Sequence, residues 1–231
     1  MMVYGRQAVR EALRGQRKVE RLWASRTAAK TADAVLATDE ELTALCGSPD
    51  HQGICAHVEP YRYADAGGLL ERDDSIVVAL DEIQDPQNLG AVCRVAECVG
   101  AAGVVIGERR AAQVTPSVCR ASAGAVEHLA IARVRNLADY LGEAKQAGAW
   151  VYGASTEPQA IPYDHPDYTG RVVVVFGSEG KGLRPRVAAA CDALVRLPLR
   201  GTLESLNVAA AAAAVMYGIL HLRAEQVDRA P

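Results

Sequence analysis

Residues 172–176 read VVVVF, five apolar side chains in a row, and they run straight into the loop GSEGKGL. A strand wetted on one face alternates apolar with polar residues. An unbroken run of this kind describes a strand buried on both faces, the usual condition in parallel sheets covered by helices on each side. The rest of the chain beyond residue 74 agrees. Strand-like SIVVAL, GVVIG, LAIARV, WVYGAS, VVVVFG and ALVRLPL alternate with helix-like stretches: one from Asn88, then TPSVCRASAGAVE, NLADYLGEAKQAG, RPRVAAACD and a long helix from Ser205 to about Gln226. This order predicts an α/β fold, a mostly parallel sheet with helices on both faces. The alanine run 209–214 reads as a close-packing helix face.

The N-terminal stretch has a different texture. GRQAVREALRG sets Ala8, Val9, Ala12 and Leu13 at helical spacing with Arg6, Arg10, Arg14 and Arg17 on other faces, and VERLWA and ICAHVEPY read as strands. The segment from Pro60 to Asp74, with Gly67-Gly68 and paired charges, reads as a linker. The expected division is a small α/β domain over 1–60, a linker over 61–74 and a large domain over 75–231. Charge is divided in the same way. Residues 1–30 hold eight Lys/Arg against two Glu, residues 31–74 hold ten acids against Arg62 and Arg72, and the whole chain carries −3. That total argues against a surface that wraps nucleic acid everywhere. The basic N-terminus fits either a solvated helix face or a small module touching phosphates.

Six cysteines without a C-x-x-C pair and five scattered histidines predict reduced thiols and no metal site. The longest apolar run, Val208 to Leu220, is 13 residues, too short for a bilayer, and Met1 to Lys18 lacks the apolar core of a signal peptide. A cytoplasmic protein with no membrane partner is expected.

Ligands of open parallel sheets bind beyond the carboxyl ends of the strands. Three such ends carry unusual polar chemistry: DEIQDPQNLGAVCR, GSEGKGL and RLPLRGTLESLNVA. The first contains Gly90 alone where a dinucleotide fold needs G-x-G-x-x-G. In the second, Leu183 follows Gly182 where a Walker A loop needs lysine, and Lys181 sits inside the loop. NAD and ATP are both disfavoured. Glycines at 177, 180 and 182 allow close approach of bare backbone, so a ligand gripped mainly by main chain is expected.

Together the three stretches resemble the SpoU (TrmH) family of RNA ribose 2′-O-methyltransferases in the SPOUT superfamily. The resemblance rests on Asn88, Gly90 and Arg94 in NLGAVCR, on Glu179 in GSEGKGL, and on Leu197, Ser205, Leu206 and Asn207 in LPLRGTLESLNVA. It implies S-adenosyl-L-methionine as cofactor, a C-terminal trefoil knot, a homodimer with both subunits lining the site, and 2′-O-methylation of a ribose in structured RNA. YGRQAVREAL, DHQGICAHVEPY and ASAGAVEHL are similar to the branch that methylates guanosine in 23S rRNA. The short acidic stretch between RLWA and HQG departs from that branch. It leaves tRNA or another rRNA site, including that of antibiotic-resistance members, as alternatives, beside a non-catalytic ribosome-associated RNA-binding protein.

The resemblance also implies residue roles. Arg94 leads the catalytic set, with Asn88, Glu179, Ser205 and Asn207. A guanidinium stays protonated, which favours phosphate clamping by Arg94 over general-base action. The cofactor is implied to lie against the backbone of Gly177, Leu197 and Leu206, with Phe176, Gly182 and Leu199 around it. Read as residues alone, Asn88 and Ser205 also suit helix N-caps, and Asn207 suits a bond to neighbouring backbone. Arg200 faces RNA or solvent, and Thr202 and Glu204 receive no role.

Overall fold

The structure is a computed structural model, and it describes residues 1–29 and 34–229. Residues 30–33 of the expected small domain and the last two residues of the large one lie outside the described residues, as do the side chains of 226–229. In chain order the elements are β1 (Met2–Tyr4), α1 (Arg6–Ala12), β2 (Val19–Ala24), β3 (Val35–Leu36), α2 (Asp39–Cys46), β4 (Ile54–Val58), β5 (Ile76–Asp81), α3 (Pro86–Cys98), β6 (Gly103–Gly107), α4 (Pro116–Ala121), β7 (Ile131–Val134), α5 (Leu137–Gln146), β8 (Trp150–Ala154), β9 (Ile161–Pro162), β10 (Val172–Gly177), α6 (Pro185–Ala190), β11 (Ala193–Arg196) and α7 (Val208–Arg229).

The strands form a four-stranded sheet, β1-β4-β2-β3, and a seven-stranded sheet, β7-β6-β5-β10-β8-β11-β9. Every pairing in the larger sheet is parallel. The all-apolar strand β10 sits at its centre, and its side chains divide between two cores. Val172, Val174 and Phe176 join the cluster that includes Leu89, Val92, Val118 and Met216, while Val173 and Val175 join the one built with Leu137, Leu141 and Val187. Strand β5 divides the same way, Ile76, Val78 and Leu80 against Val77 and Ala79. This two-sided burial is what removes the polar positions from VVVVF.

The first of these cores continues into the N-terminal part, taking in Val3, Leu22, Ala56 and Val58 of the small sheet and Val9 of α1. A buried ion pair reinforces the junction. Arg17 Nε donates to Glu127 Oε2 at 2.9 Å, its Nη1 donates to the Glu59 carbonyl at 3.0 Å, and the Glu127 side chain is fully buried. The segment read as a linker is packed as well: Leu69 and Leu70 are buried, and the Tyr61 hydroxyl donates to the Leu129 carbonyl at 3.0 Å.

Several boundaries differ from the sequence reading. Helix α3 starts at Pro86 with Asp85 as its N-cap, accepting from Gln87 N–H, so Asn88 lies inside the first turn and is not the cap. Helix α7 starts at Val208, and the carbonyl oxygen of the Asn207 side chain accepts from Ala209 N–H at 2.9 Å, so Asn207 takes the cap that Ser205 was expected to supply. TPSVCRASAGAVE is not one helix. It stops at Ala121 because Ala123 and Gly124 take positive φ, and a Cβ on Gly124 would lie 2.6 Å from Glu11 Cβ. Strands β1, β3 and β9 and helix α2 were not expected, being short or set in the acidic stretch.

Helix α7 is long and apolar enough, by length and composition, to cross a membrane, which the 13-residue apolar run did not suggest. One face of it belongs to the core through Val208, Ala212, Val215, Met216 and Ile219. Near its end Arg223 donates to the carbonyls of Tyr168, Asp74 and Gly170 at 2.7–2.8 Å.

Candidate active site

Because the large sheet is wholly parallel, the ends of β5, β10, β8 and β11 open on one edge, and all three polar stretches gather there. Asn88, Glu179 and Asn207, at most 119 positions apart in sequence, form a closed triangle. Asn88 Nδ2 donates to Glu179 Oε1 at 3.0 Å, and Asn207 Nδ2 donates both to Asn88 Oδ1 at 2.9 Å and to Glu179 Oε1 at 2.6 Å. Asn207 thus uses its oxygen to start α7 and its nitrogen to hold the cluster. One carboxylate oxygen receiving two amide donors is fixed in place, as a group that positions a substrate must be.

Beside the triangle lies a cleft of about 400 Å³. Its walls include all six residues expected around the cofactor, Phe176, Gly177, Gly182, Leu197, Leu199 and Leu206, and also Glu179 and Ser205. The volume falls in the range of roughly 300–1,000 Å³ typical of small-molecule clefts. The glycine requirement is geometric. A Cβ on Gly177 would lie 2.2 Å from the Gly182 carbonyl carbon, and Gly182 N–H donates back to the Ser178 carbonyl at 2.9 Å. Gly180 and Gly182 take positive φ, so GSEGKGL closes into a tight loop that leaves backbone facing the cleft. Gly90 has another purpose: a Cβ there would lie 2.4 Å from Ala121 Cβ, so it seats α3 against α4.

The structure also supplies residues the sequence did not flag. Ser155, Thr156 and Glu157 after β8, Leu183, and Glu204 all line the cleft. Glu204, which had no role, stands with Glu157 and Glu179 as one of three carboxylates in its wall. Their positions follow β8 and the loop before α7, stretches whose composition carries no motif. Next to the cleft, Asp81 is 1% exposed and accepts from Arg184 N–H at 2.8 Å and Arg184 Nε at 2.7 Å. That carboxylate holds the Arg184 guanidinium above its ordinary pKa and ties β5 to the segment after GSEGKGL.

Arg94 does not join the triangle. It lies six residues beyond Asn88, about 9 Å further along α3 and some 240° around it, exposed and making no hydrogen bond or ion pair among the described residues. No group of His, Cys, Asp or Glu suited to a metal occurs among the described residues.

Comparison with known proteins identifies the family. The SpoU rRNA Methylase family profile matches residues 75–217, and the profile for RNA 2′-O ribose methyltransferase substrate binding matches residues 2–64. YacO of Bacillus subtilis, assigned to the TrmH family of tRNA/rRNA methyltransferases, is 37% identical over 238 residues, covering 96% of this chain and 95% of its own. An uncharacterized tRNA/rRNA methyltransferase of Synechocystis is also 37% identical over 96% of this chain, which spans only 62% of that relative's length. Among solved structures, an rRNA methyltransferase from Sinorhizobium meliloti with AdoMet bound superimposes with a TM-score of 0.79 at 28% identity, covering 95% of this chain and 86% of that one. The chain therefore belongs to the SpoU rRNA methylase family and is an RNA methyltransferase.

Proposed function

We propose that the protein transfers the methyl group of S-adenosylmethionine to a ribose 2′-hydroxyl of structured RNA, and that its target is a guanosine of 23S rRNA. The observation that carries the chemistry is the junction of the Asn88–Glu179–Asn207 triangle with the cleft lined by Gly177, Leu197 and Leu206. The cleft suits this cofactor. Leucines 183, 197, 199 and 206 offer apolar walls to an adenine ring, and three carboxylates suit a molecule carrying a sulfonium and an ammonium. The cofactor supplies an electrophilic methyl group. The chain's own task is placement: a 2′-hydroxyl set in line with that methyl gains several kcal/mol from orientation alone. The amide–carboxylate triangle at the lip offers fixed acceptor and donor atoms to a ribose.

Arg94 fits the reading as a phosphate clamp. Within one chain it stands clear of the triangle, so we assign it to a homodimer in which both subunits line the site. Exposed Leu199, Leu203 and Leu206 beside the cleft and Tyr217 and Leu220 on α7 support such an assembly. A trefoil knot belongs to the same reading. It is supported by the path of the last 40 residues, from β11 beside β8 through the cleft wall to α7 packed on α3.

The test is methyl transfer from radiolabelled S-adenosylmethionine to unmodified 23S rRNA and, in parallel, unmodified tRNA, with the labelled nucleotide mapped. Label on a guanosine ribose of 23S rRNA is expected. Label only on tRNA would replace the target, and tight cofactor binding without label on either RNA would favour a retired enzyme that binds RNA. In the same assay Arg94→Ala should lower turnover about a hundredfold, the usual cost of misplacing a reactant, while cofactor affinity stays unchanged.

A further inference from the structure

The carboxyl edge of the sheet holds a second and larger cleft that the methyl-transfer chemistry does not use. It measures about 970 Å³ and opens beyond β5, β6 and β7. Six arginines line it: Arg109, Arg110, Arg133, Arg135, Arg184 and Arg186. Three are committed to carboxylates, Arg184 to Asp81 at 2.7 Å, Arg186 to Asp139 at 2.6 Å and Arg110 to Glu82 at 3.5 Å. The other three, Arg109, Arg133 and Arg135, are exposed and have no carboxylate within ion-pair distance among the described residues.

Arg133 is held in a particular way. Its guanidinium lies 4.0 Å from the centroid of the Tyr63 ring, and the Tyr63 hydroxyl is itself fixed, donating to Gln113 Oε1 and accepting from Val114 N–H at 3.0 Å. A guanidinium held over a ring in this way, on an exposed residue, offers a nucleobase a planar cation to stack on. One polar atom in the wall also has no hydrogen-bond partner, the hydroxyl of the buried Tyr140.

The cleft is continuous with the active site. Glu82 lines both it and a smaller depression of about 250 Å³, whose other walls include Asn88, Ser178, Glu179 and Lys181. Ser178, Glu179 and Lys181 in turn line the cofactor cleft. A strand laid along this edge would therefore pass from the free arginines to the triangle without leaving a groove.

We infer that the arginine cleft binds the single-stranded RNA segment next to the target nucleotide, with phosphates on Arg109 and Arg135 and one base stacked on Arg133. The inference rests on the RNA methyltransferase reading and adds to it where the substrate lies. Cationic contacts to a backbone make affinity fall with salt, with a slope near 0.7 per neutralised phosphate on single strands, while an arginine face holds a base without reading its sequence.

The experiment uses the full-length protein and a fluorescein-labelled single-stranded RNA, with duplex RNA in a second arm. Arg109→Ala/Arg135→Ala should raise Kd about tenfold at moderate salt and lower the salt slope by about 1.4. Arg72→Ala, an exposed arginine outside the cleft paired to Asp74, serves as the control for lost charge. Arg133→Lys keeps the charge and loses the plane, and should weaken single-stranded RNA about fivefold with little change for duplex. S-adenosylmethionine affinity, measured on every variant, should equal wild type and reports a folded active site. In methyl transfer the double variant should show a raised KM for RNA and an unchanged kcat. An RNA affinity and salt slope equal to wild type, or a loss matched by Arg72→Ala, would overturn the inference. Wild-type protein that binds RNA through these arginines yet methylates neither rRNA nor tRNA would sink the enzymatic reading and leave the binding site standing.

Discussion

The two clefts on the sheet's carboxyl edge are built by opposite means. The cleft we assign to the cofactor is made of main chain, with a loop whose Gly177 stands where a Cβ would meet Gly182 backbone at 2.2 Å, and with leucines from two other segments. The arginine cleft is made of side-chain charge carried on ordinary strand ends and one helix start. The first kind of site constrains the identity of nearly every residue in its loop. The second asks only that some cations point the same way. Substitutions should therefore break the first at a single atom and the second only gradually.

The largest effect is expected from Gly177→Ala. The added methyl group has no room, since the contacting atoms are backbone and cannot rotate away, and overpacking of this kind costs about 3 kcal/mol. Calorimetry should find a lowered Tm and no measurable S-adenosylmethionine binding. Arg109→Ala in the other cleft should shift stability by less than about 0.5 kcal/mol, as exposed substitutions do. Wild-type cofactor affinity in Gly177→Ala would remove the contrast altogether.

Asn207 sharpens it, because this one residue serves both the helix start and the triangle we assign to the chemistry. Asn207→Asp keeps an oxygen for the N-terminus of α7 and loses the nitrogen that holds Glu179 and Asn88. Its Tm should fall less than that of Asn207→Ala while methyl transfer is lost, since position 207 then offers Glu179 and Asn88 no amide donor. Asn207→Ala should lose transfer and also about 1 kcal/mol of stability, the usual value of a cap. Equal stability in the two variants would mean that the cap contributes nothing, and retained transfer in Asn207→Asp would dismiss the triangle.

This difference in construction also explains what could be read in advance. The parallel sheet was legible because VVVVF and SIVVAL have no polar face. Asn88, Glu179 and Asn207 were legible because motifs at three strand ends named them, and the structure joins them across 91 and 119 residues. Their local duties were not. The caps fell to Asp85 and Asn207 because a helix begins where its first backbone donors find a partner, and Asp85 and Asn207 both present side-chain oxygens one position before the helix. Glu204 could not be placed because its position depends on how the chain runs from β11 to α7, a tertiary path with no periodicity. The arginine cleft left no motif at all. Arg109 follows β6, Arg133 lies on β7 and Arg184 precedes α6, and each alone reads as a solvated surface charge.

Tyr140→Phe is expected to have the smallest effect and tests the charge-built cleft from inside its wall. The Tyr140 side chain is buried, its hydroxyl has no hydrogen-bond partner, and burial together with Glu143 pushes its pKa upward, so it stays a neutral, unsatisfied donor throughout the range in which the protein is handled. An unpaired buried hydroxyl costs free energy because the water it gave up is not replaced. Removing the oxygen while keeping the ring should raise stability by up to about 1 kcal/mol, read as a higher urea midpoint with an unchanged slope. In a cleft built from exchangeable charges this change should leave RNA affinity untouched. A stability gain coupled to weaker RNA binding would show that the hydroxyl is held in reserve for the ligand, and that this cleft shares with its neighbour a dependence on single atoms.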